Sequence, residues 1–238
     1  MENSNLQKNV SKFGYRISLA TAVLAIITLG IAVGTPPMTG PFCQADCFQY
    51  PYSEIGSRFP RDYIWMVLAI ILSFLYLMMM LAFHQSTKPE KRLDSSISSS
   101  FAIMAAFVLS VNYFLQLSVI QPSVLAGETD GIALLTQFNP HGIFIALEEI
   151  GFTLIVLSFF ALVPVFSTKN AREKAIKWTA ISGLLLTVIM FIIISVIHGI
   201  HREYRFEVAI ISISWIELIV MGFLFAGYFK KTRRGISF

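Results

Sequence analysis

The sequence predicts an all-α membrane protein, a single polytopic bundle of six transmembrane helices with both termini in the cytoplasm. Three observations predict it. Apolar runs of about 18 residues or more recur along the whole chain, the length a helix needs to cross about 30 Å of hydrocarbon at about 1.5 Å per residue. Only 13% of the residues are charged, about half the share in a soluble domain. Of the Lys and Arg residues, fourteen fall at the termini and in alternate loops, and four in the remaining loops. The basic side of a membrane protein is its cytoplasmic side. The runs are too long, and alternate too little, for barrel strands. No basic patch with interleaved aromatics suggests nucleic acid. The expected partner is the lipid bilayer, read as a prokaryotic plasma membrane, and no cofactor is implied.

The first run, residues 17–34, follows a polar segment with Lys8, Lys12 and Arg16. A secretory signal has the same beginning, but this core is long for one and no small-residue cleavage site follows, so the run is expected to remain as the first helix. Residues 35–61 form an outer loop rich in proline and aromatics, with Cys43 and Cys47. An oxidising space favours a disulfide between them; free thiols, and a metal site shared with His198 and His201, are the alternatives. The second run covers residues 62–84, and the segment 85–100 reads as a solvated linker of charge and serine. The third run covers residues 99–120, with Asn112 and Gln116 four apart on one face.

The outer loop 121–141 has no Lys or Arg; a Gly-Glu-Thr-Asp-Gly turn is followed by an apolar stretch, 132–138, expected to lie as a short helix on the membrane surface. Asn139-Pro140-His141 then opens the fourth run, 142–166, which holds the adjacent Glu148 and Glu149. The fifth run is 177–198, ending near His198, His201 and Arg202; the sixth is 207–229, with Glu217 near its middle.

Carboxyls inside a spanning helix are costly and call for a partner. Glu148 and Glu149 differ by about 100° around the helix, so one is expected to face the bundle and the other a neighbouring helix. Asn112, Gln116, His141, Glu148 and Glu149 all map to the outer half, while the inner half reads as almost free of polar side chains. This asymmetry predicts a polar pocket in the outer half that binds or transports a small molecule, cation or lipid. Its candidate residues are Asn112, Gln116, His141, Glu148, Glu149 and Glu217, with an amide of Asn112 or Gln116 expected to reach one of the adjacent glutamates. The amides also suit simple helix-to-helix bonding, and His198 with His201 has a spacing that permits a metal without demanding one.

Glu148-Glu149 resembles the Glu-Glu-x-x-x-Arg motif of CAAX-prenyl-type intramembrane proteases, but Thr153 stands where that motif has arginine. His198 and His201 differ from the His-x-x-x-His pair of alkaline-ceramidase-like hydrolases by one residue of spacing. The stretch from the Gly127–Gly131 turn through Asn139-Pro140-His141 to Glu148-Glu149, with Phe59-Pro60-Arg61-Asp62-Tyr63, resembles six-span prokaryotic membrane proteins of unknown function. That resemblance implies a fold and a membrane but no activity. Three readings follow: a binding or transport protein with an outer pocket, a lipid-modifying enzyme using Glu148 or Glu149 with a nearby histidine, and a structural or regulatory subunit.

Overall fold

The computed structural model of the chain describes residues 2–168 and 170–233, with the backbone alone for residues 2–6, 203 and 233. Lys169 and Arg234, two of the charges counted above, lie outside the described residues. In chain order the helices are α1 (Glu2–Val33), α2 (Ile64–Ser86), α3 (Arg92–Leu115), the short α4 (Gln121–Leu125) and α5 (Ile132–Leu135), α6 (Ile143–Phe160), α7 (Ala171–His198) and α8 (Glu203–Arg233). No strand occurs among the described residues, and six helices are long and apolar enough to span a membrane. This is the predicted all-α, six-span architecture.

Helices α8, α1, α2, α3 and α6 each pack on the next, and α6 returns to α8, closing a five-helix ring. Helix α7 lies outside the ring against α6 and α8. The described termini and the connections at 87–91 and 161–170 share one end of the bundle, here the terminal end. The segments 34–63, 126–142 and 199–202 make the opposite, distal end.

Lipid tails are as apolar as leucine, so close backbone approach at small residues holds such helices together. Gly222 of α8 lies against α1, where an added Cβ would sit 2.8 Å from the Ala22 Cβ and 3.0 Å from the Ser18 carbonyl oxygen. Gly151 of α6 receives Leu109 of α3, which a Cβ would meet at 2.6 Å. Within the ring, Tyr76, Tyr113, Phe152, Phe159, Trp215 and Phe225 are buried.

Several boundaries differ from the hydropathy reading. The expected linker 85–100 is mostly helix, because α3 starts at Arg92. Its Ser95, Ser98 and Ser99 are buried. The Ser98 hydroxyl donates to the Ser158 carbonyl at 2.7 Å, Ser95 Oγ meets His84 Nδ1 at 2.8 Å, and Tyr76 bonds to Ser158. The terminal half is therefore not bare of polar groups. Ser95, Ser98, Ser158 and Tyr76 find partners within the bundle, so such hydroxyls fit runs that look apolar. The third span continues to Leu125 through a π-helical turn, Gln116–Ile120. That widened turn precedes Pro122, which has no N–H to donate.

Helix α6 stops at Phe160 and not at 166; the following turns contain Pro164, which cannot continue the hydrogen-bond ladder. Helix α7 starts at Ala171, six residues before the expected 177. Asn170 Oδ1 accepts from the Glu173 N–H at 2.9 Å, and Asn170 Nδ2 donates to Glu173 Oε1 at 2.7 Å, a reciprocal N-terminal cap. Helix α8 starts four residues before the expected 207, which brings Glu207 inside the helix.

At the distal end the Asn139–Gly142 turn is built by side-chain bonds. Asn139 Nδ2 donates to the Ala133 carbonyl at 2.6 Å, and Asn139 Oδ1 accepts from the His141 N–H at 2.9 Å. A Cβ on Gly142 would lie 3.0 Å from the carbonyl oxygens of both Asn139 and Leu134, so glycine suits this tight approach. The short helix α5 falls inside the apolar stretch expected to be helical, with Ile132 buried and Leu134 exposed.

Candidate functional site

The distal end carries a partly open cavity of about 320 Å³ lined by α1, α2, α6, α8 and the first distal loop. Its volume suits a small molecule. Pro36, Pro37, Met38 and Phe42 cover it from the loop, and Trp65, Phe144, Tyr204 and Trp215 form aromatic walls. The loop is held down locally: the Phe48 N–H donates to the Met38 carbonyl at 2.8 Å, and the Phe48 ring meets Phe138 edge-on at 5.3 Å. Cys43 and Cys47 are joined by a disulfide in the same loop, their Cα atoms 5.9 Å apart.

Three carboxyls line this cavity: Asp62, Glu148 and Glu207. Asp62 is compensated, since Arg58 Nε donates to its Oδ2 at 2.7 Å and Arg58 Nη2 to its Oδ1 at 3.3 Å. Glu148 of α6 and Glu207 of α8 have no such cation among the described residues. Both are buried in the wall of the same cavity, their carboxyls within hydrogen-bonding reach of each other. A direct hydrogen bond between two carboxyls needs a proton on one of them. The Tyr113 hydroxyl of α3 donates to Glu148 Oε1 at 2.7 Å, tying the pair to the ring interior. No lysine, arginine or histidine lines the cavity among the described residues. The site thus offers an aromatic chamber with a close carboxyl pair, Glu148 and Glu207, in its wall.

Glu148 alone among the six candidate ligand-binding residues lines this cavity. Its neighbour Glu149 points the other way, as the helical offset requires, and pairs with Arg202 at 3.1 Å. The expected bond from Asn112 or Gln116 to a glutamate is replaced by bonds to backbone. Asn112 Nδ2 donates to the Phe144 carbonyl at 3.0 Å. Gln116 Nε2 donates to the Leu135 carbonyl at 2.7 Å, while its Oε1 accepts from the Gln137 N–H at 3.0 Å. The physical reason is that the segment 135–144 folds down beside α3 and presents backbone groups that also need partners. The hydroxyl of Tyr113, one residue from Asn112, takes the glutamate.

Glu217 lies apart, packed against Gly183 of α7, and its carboxyl oxygens are buried without a hydrogen-bond partner among the described residues. The His141 and His201 rings lie 6.1 Å apart at the surface, and these two line a separate hollow with His198. No metal-holding group of three or more His, Cys, Asp or Glu occurs among the described residues.

Glu207, Tyr113, Trp65 and Trp215 are the site residues that sequence reading passed over. Glu207 carried one usable signal: Glu203-Tyr204-Arg205-Phe206-Glu207 places two acidic residues four apart before the apolar run, a spacing that fits an early helix start. No protein-family model matches the chain, and no curated protein or solved structure matches it.

Proposed function

We propose that this membrane protein binds an amphipathic organic cation in the distal cavity, exchanging it for the proton shared by Glu148 and Glu207, and that the distal end faces the cell exterior. The observation that carries this reading is the contact of those two carboxyls in a cavity walled by aromatic side chains and lined by no basic group. Aromatic faces attract a desolvated cation through their quadrupole. A carboxyl pair that gives up its proton supplies the counter-charge that a buried cation requires. A neutral ligand satisfies the aromatic walls but not that pair. The exchange is the binding step of a receptor or a carrier.

The reading is tested with the protein in lipid nanodiscs and benzyltrimethylammonium as ligand. Two of the three tryptophans, Trp65 and Trp215, line the cavity, so their fluorescence reports occupancy; Trp178→Phe removes the third. The expected result is saturable quenching by the cation and binding at least about tenfold weaker for neopentylbenzene, its neutral counterpart in shape, a difference of about 1.4 kcal/mol. Glu148→Gln combined with Glu207→Gln should remove that preference. Equal binding of the two compounds by the unaltered protein would refute the proposal.

A further inference from the structure

From the loop beside the cavity down the α6–α7 face, three surface hollows adjoin one another and are read together as one channel. His141, His198, His201 and Arg205 line a hollow of about 490 Å³ at the distal end. It shares Pro140 and His141 with a second, lined also by Glu149, Gly199 and Arg202. The second shares Ala146 and Glu149 with a groove of about 470 Å³ between α6 and α7, walled by Ile150, Leu157, Leu184, Val188 and Phe191. The channel is therefore basic at the distal end and apolar along the spans. Ile150 and Val188 are 48% and 46% exposed, on a surface that hydrocarbon covers in a membrane.

The head of the channel is built and not merely basic. The Arg202 guanidinium is held by Glu149 at 3.1 Å and lies 4.8 Å over the Phe191 ring. Arg205 Nη1 donates to the His201 carbonyl at 2.8 Å. Two guanidinium groups and three imidazoles face one carboxylate among the described side chains of these hollows. Guanidinium forks match phosphate oxygens. A phosphate at that end, with a hydrocarbon chain running from it along α6 and α7, has the polarity and direction of a lipid in the surrounding leaflet.

We infer that one anionic phospholipid occupies this channel, its phosphate among Arg202, Arg205 and the histidines and one acyl chain between α6 and α7. Tyr204 lines both the first hollow and the cavity, but Arg202, Arg205 and Val188 do not line the cavity, so lipid binding is tested separately from cation binding.

Native mass spectrometry of the full chain tests it, with phosphatidylglycerol, phosphatidylcholine and glycerol 1-phosphate as probes. Phosphatidylglycerol should be retained at least about tenfold better than phosphatidylcholine, given about fivefold for each basic residue near the headgroup. Arg202→Gln combined with Arg205→Gln should erase the preference. Val188→Trp, which fills the groove from its exposed wall without disturbing the ring, should lower retention of both lipids while leaving the unfolding midpoint unchanged. Three results would overturn the inference: equal retention of the two lipids, retention unaffected by Val188→Trp, or glycerol 1-phosphate bound as tightly as the lipid. The last would mark a free-phosphate site.

Discussion

Replacing Gly183 by alanine forces either α7 or the Glu217 carboxyl to move. The new Cβ would lie 2.4 Å from Oε2, 2.5 Å from Cδ and 2.6 Å from Oε1 of Glu217. Ordinary contact begins at 3.4 Å, so one side must retreat by about 1 Å. The carboxyl is buried, only 4% of the residue being exposed, and no hydrogen-bond partner among the described residues holds it. Overpacking of this kind costs about 1–3 kcal/mol. Glu217→Ala removes the obstruction, so Gly183→Ala should cost little in that background and the pair should show a coupling of about 1–3 kcal/mol. The assay is reversible unfolding in mixed micelles of the unaltered protein, both single variants and the double variant. Glu217→Leu should independently raise stability, by about 1–3 kcal/mol, by replacing an unpartnered buried polar group with an apolar one. The packing argument fails if Gly183→Ala costs the same with and without the Glu217 side chain.

Cation binding that displaces the shared proton has a definite pH dependence. Raising the pH removes the competing proton, so affinity should rise by up to about tenfold per pH unit while the pair is protonated; a flat profile by fluorescence titration would rule the exchange out. For the proposed orientation, a cysteine at Ser96 should resist an impermeant thiol reagent in intact cells and one at Ser123 should be labelled, and labelling at Ser96 would reverse the assignment. Ser237, which the charge pattern places with Ser96, lies outside the described residues. The Cys43–Cys47 bridge closes a loop with a sequence separation of 4, so Cys43→Ser combined with Cys47→Ser should cost about 2 kcal/mol by the chain-entropy estimate. Non-reducing mass spectrometry should show the linked peptide, and full alkylation of both thiols without reductant would contradict it.

The spans were legible because hydrocarbon demands long apolar helices, and nothing else in the chain satisfies that demand. Their ends were less so, because hydropathy stops at the first charged or hydroxylated residue while a helix does not. Ser95, Ser98 and Ser99 read as linker, yet bury themselves within α3. Pro164 and the Asn170–Glu173 cap were readable boundary signals, and the weight given to apolar runs hid them. That Glu148 and Glu149 diverge followed from helical geometry, but which of them faces the cavity did not. The partner of Glu148 did not, since Glu207 lies 59 residues away and took its place in the site only because α8 begins early.

The arrangement of partners around the carboxyls separates structure from function. Asp62 is matched by Arg58, Glu149 by Arg202, and Glu173 by Ser167 and Asn170. A buried carboxylate that serves only the fold is expected to have such compensation built in, because leaving it unpaired is costly. Glu217 has no hydrogen-bond partner among the described residues and does not line the distal cavity, and its packing against Gly183 makes it a matter of stability. Glu148 and Glu207 differ from all of these. They come from separate spans and line one cavity, where the Tyr113 hydroxyl donates to Glu148 and the two carboxyls lie close to each other. Two carboxyls that need a proton for their own contact are poor structural glue, since loss of that proton turns attraction into repulsion. In the proposed function, that same instability beside an aromatic chamber would let a cation take the proton's place.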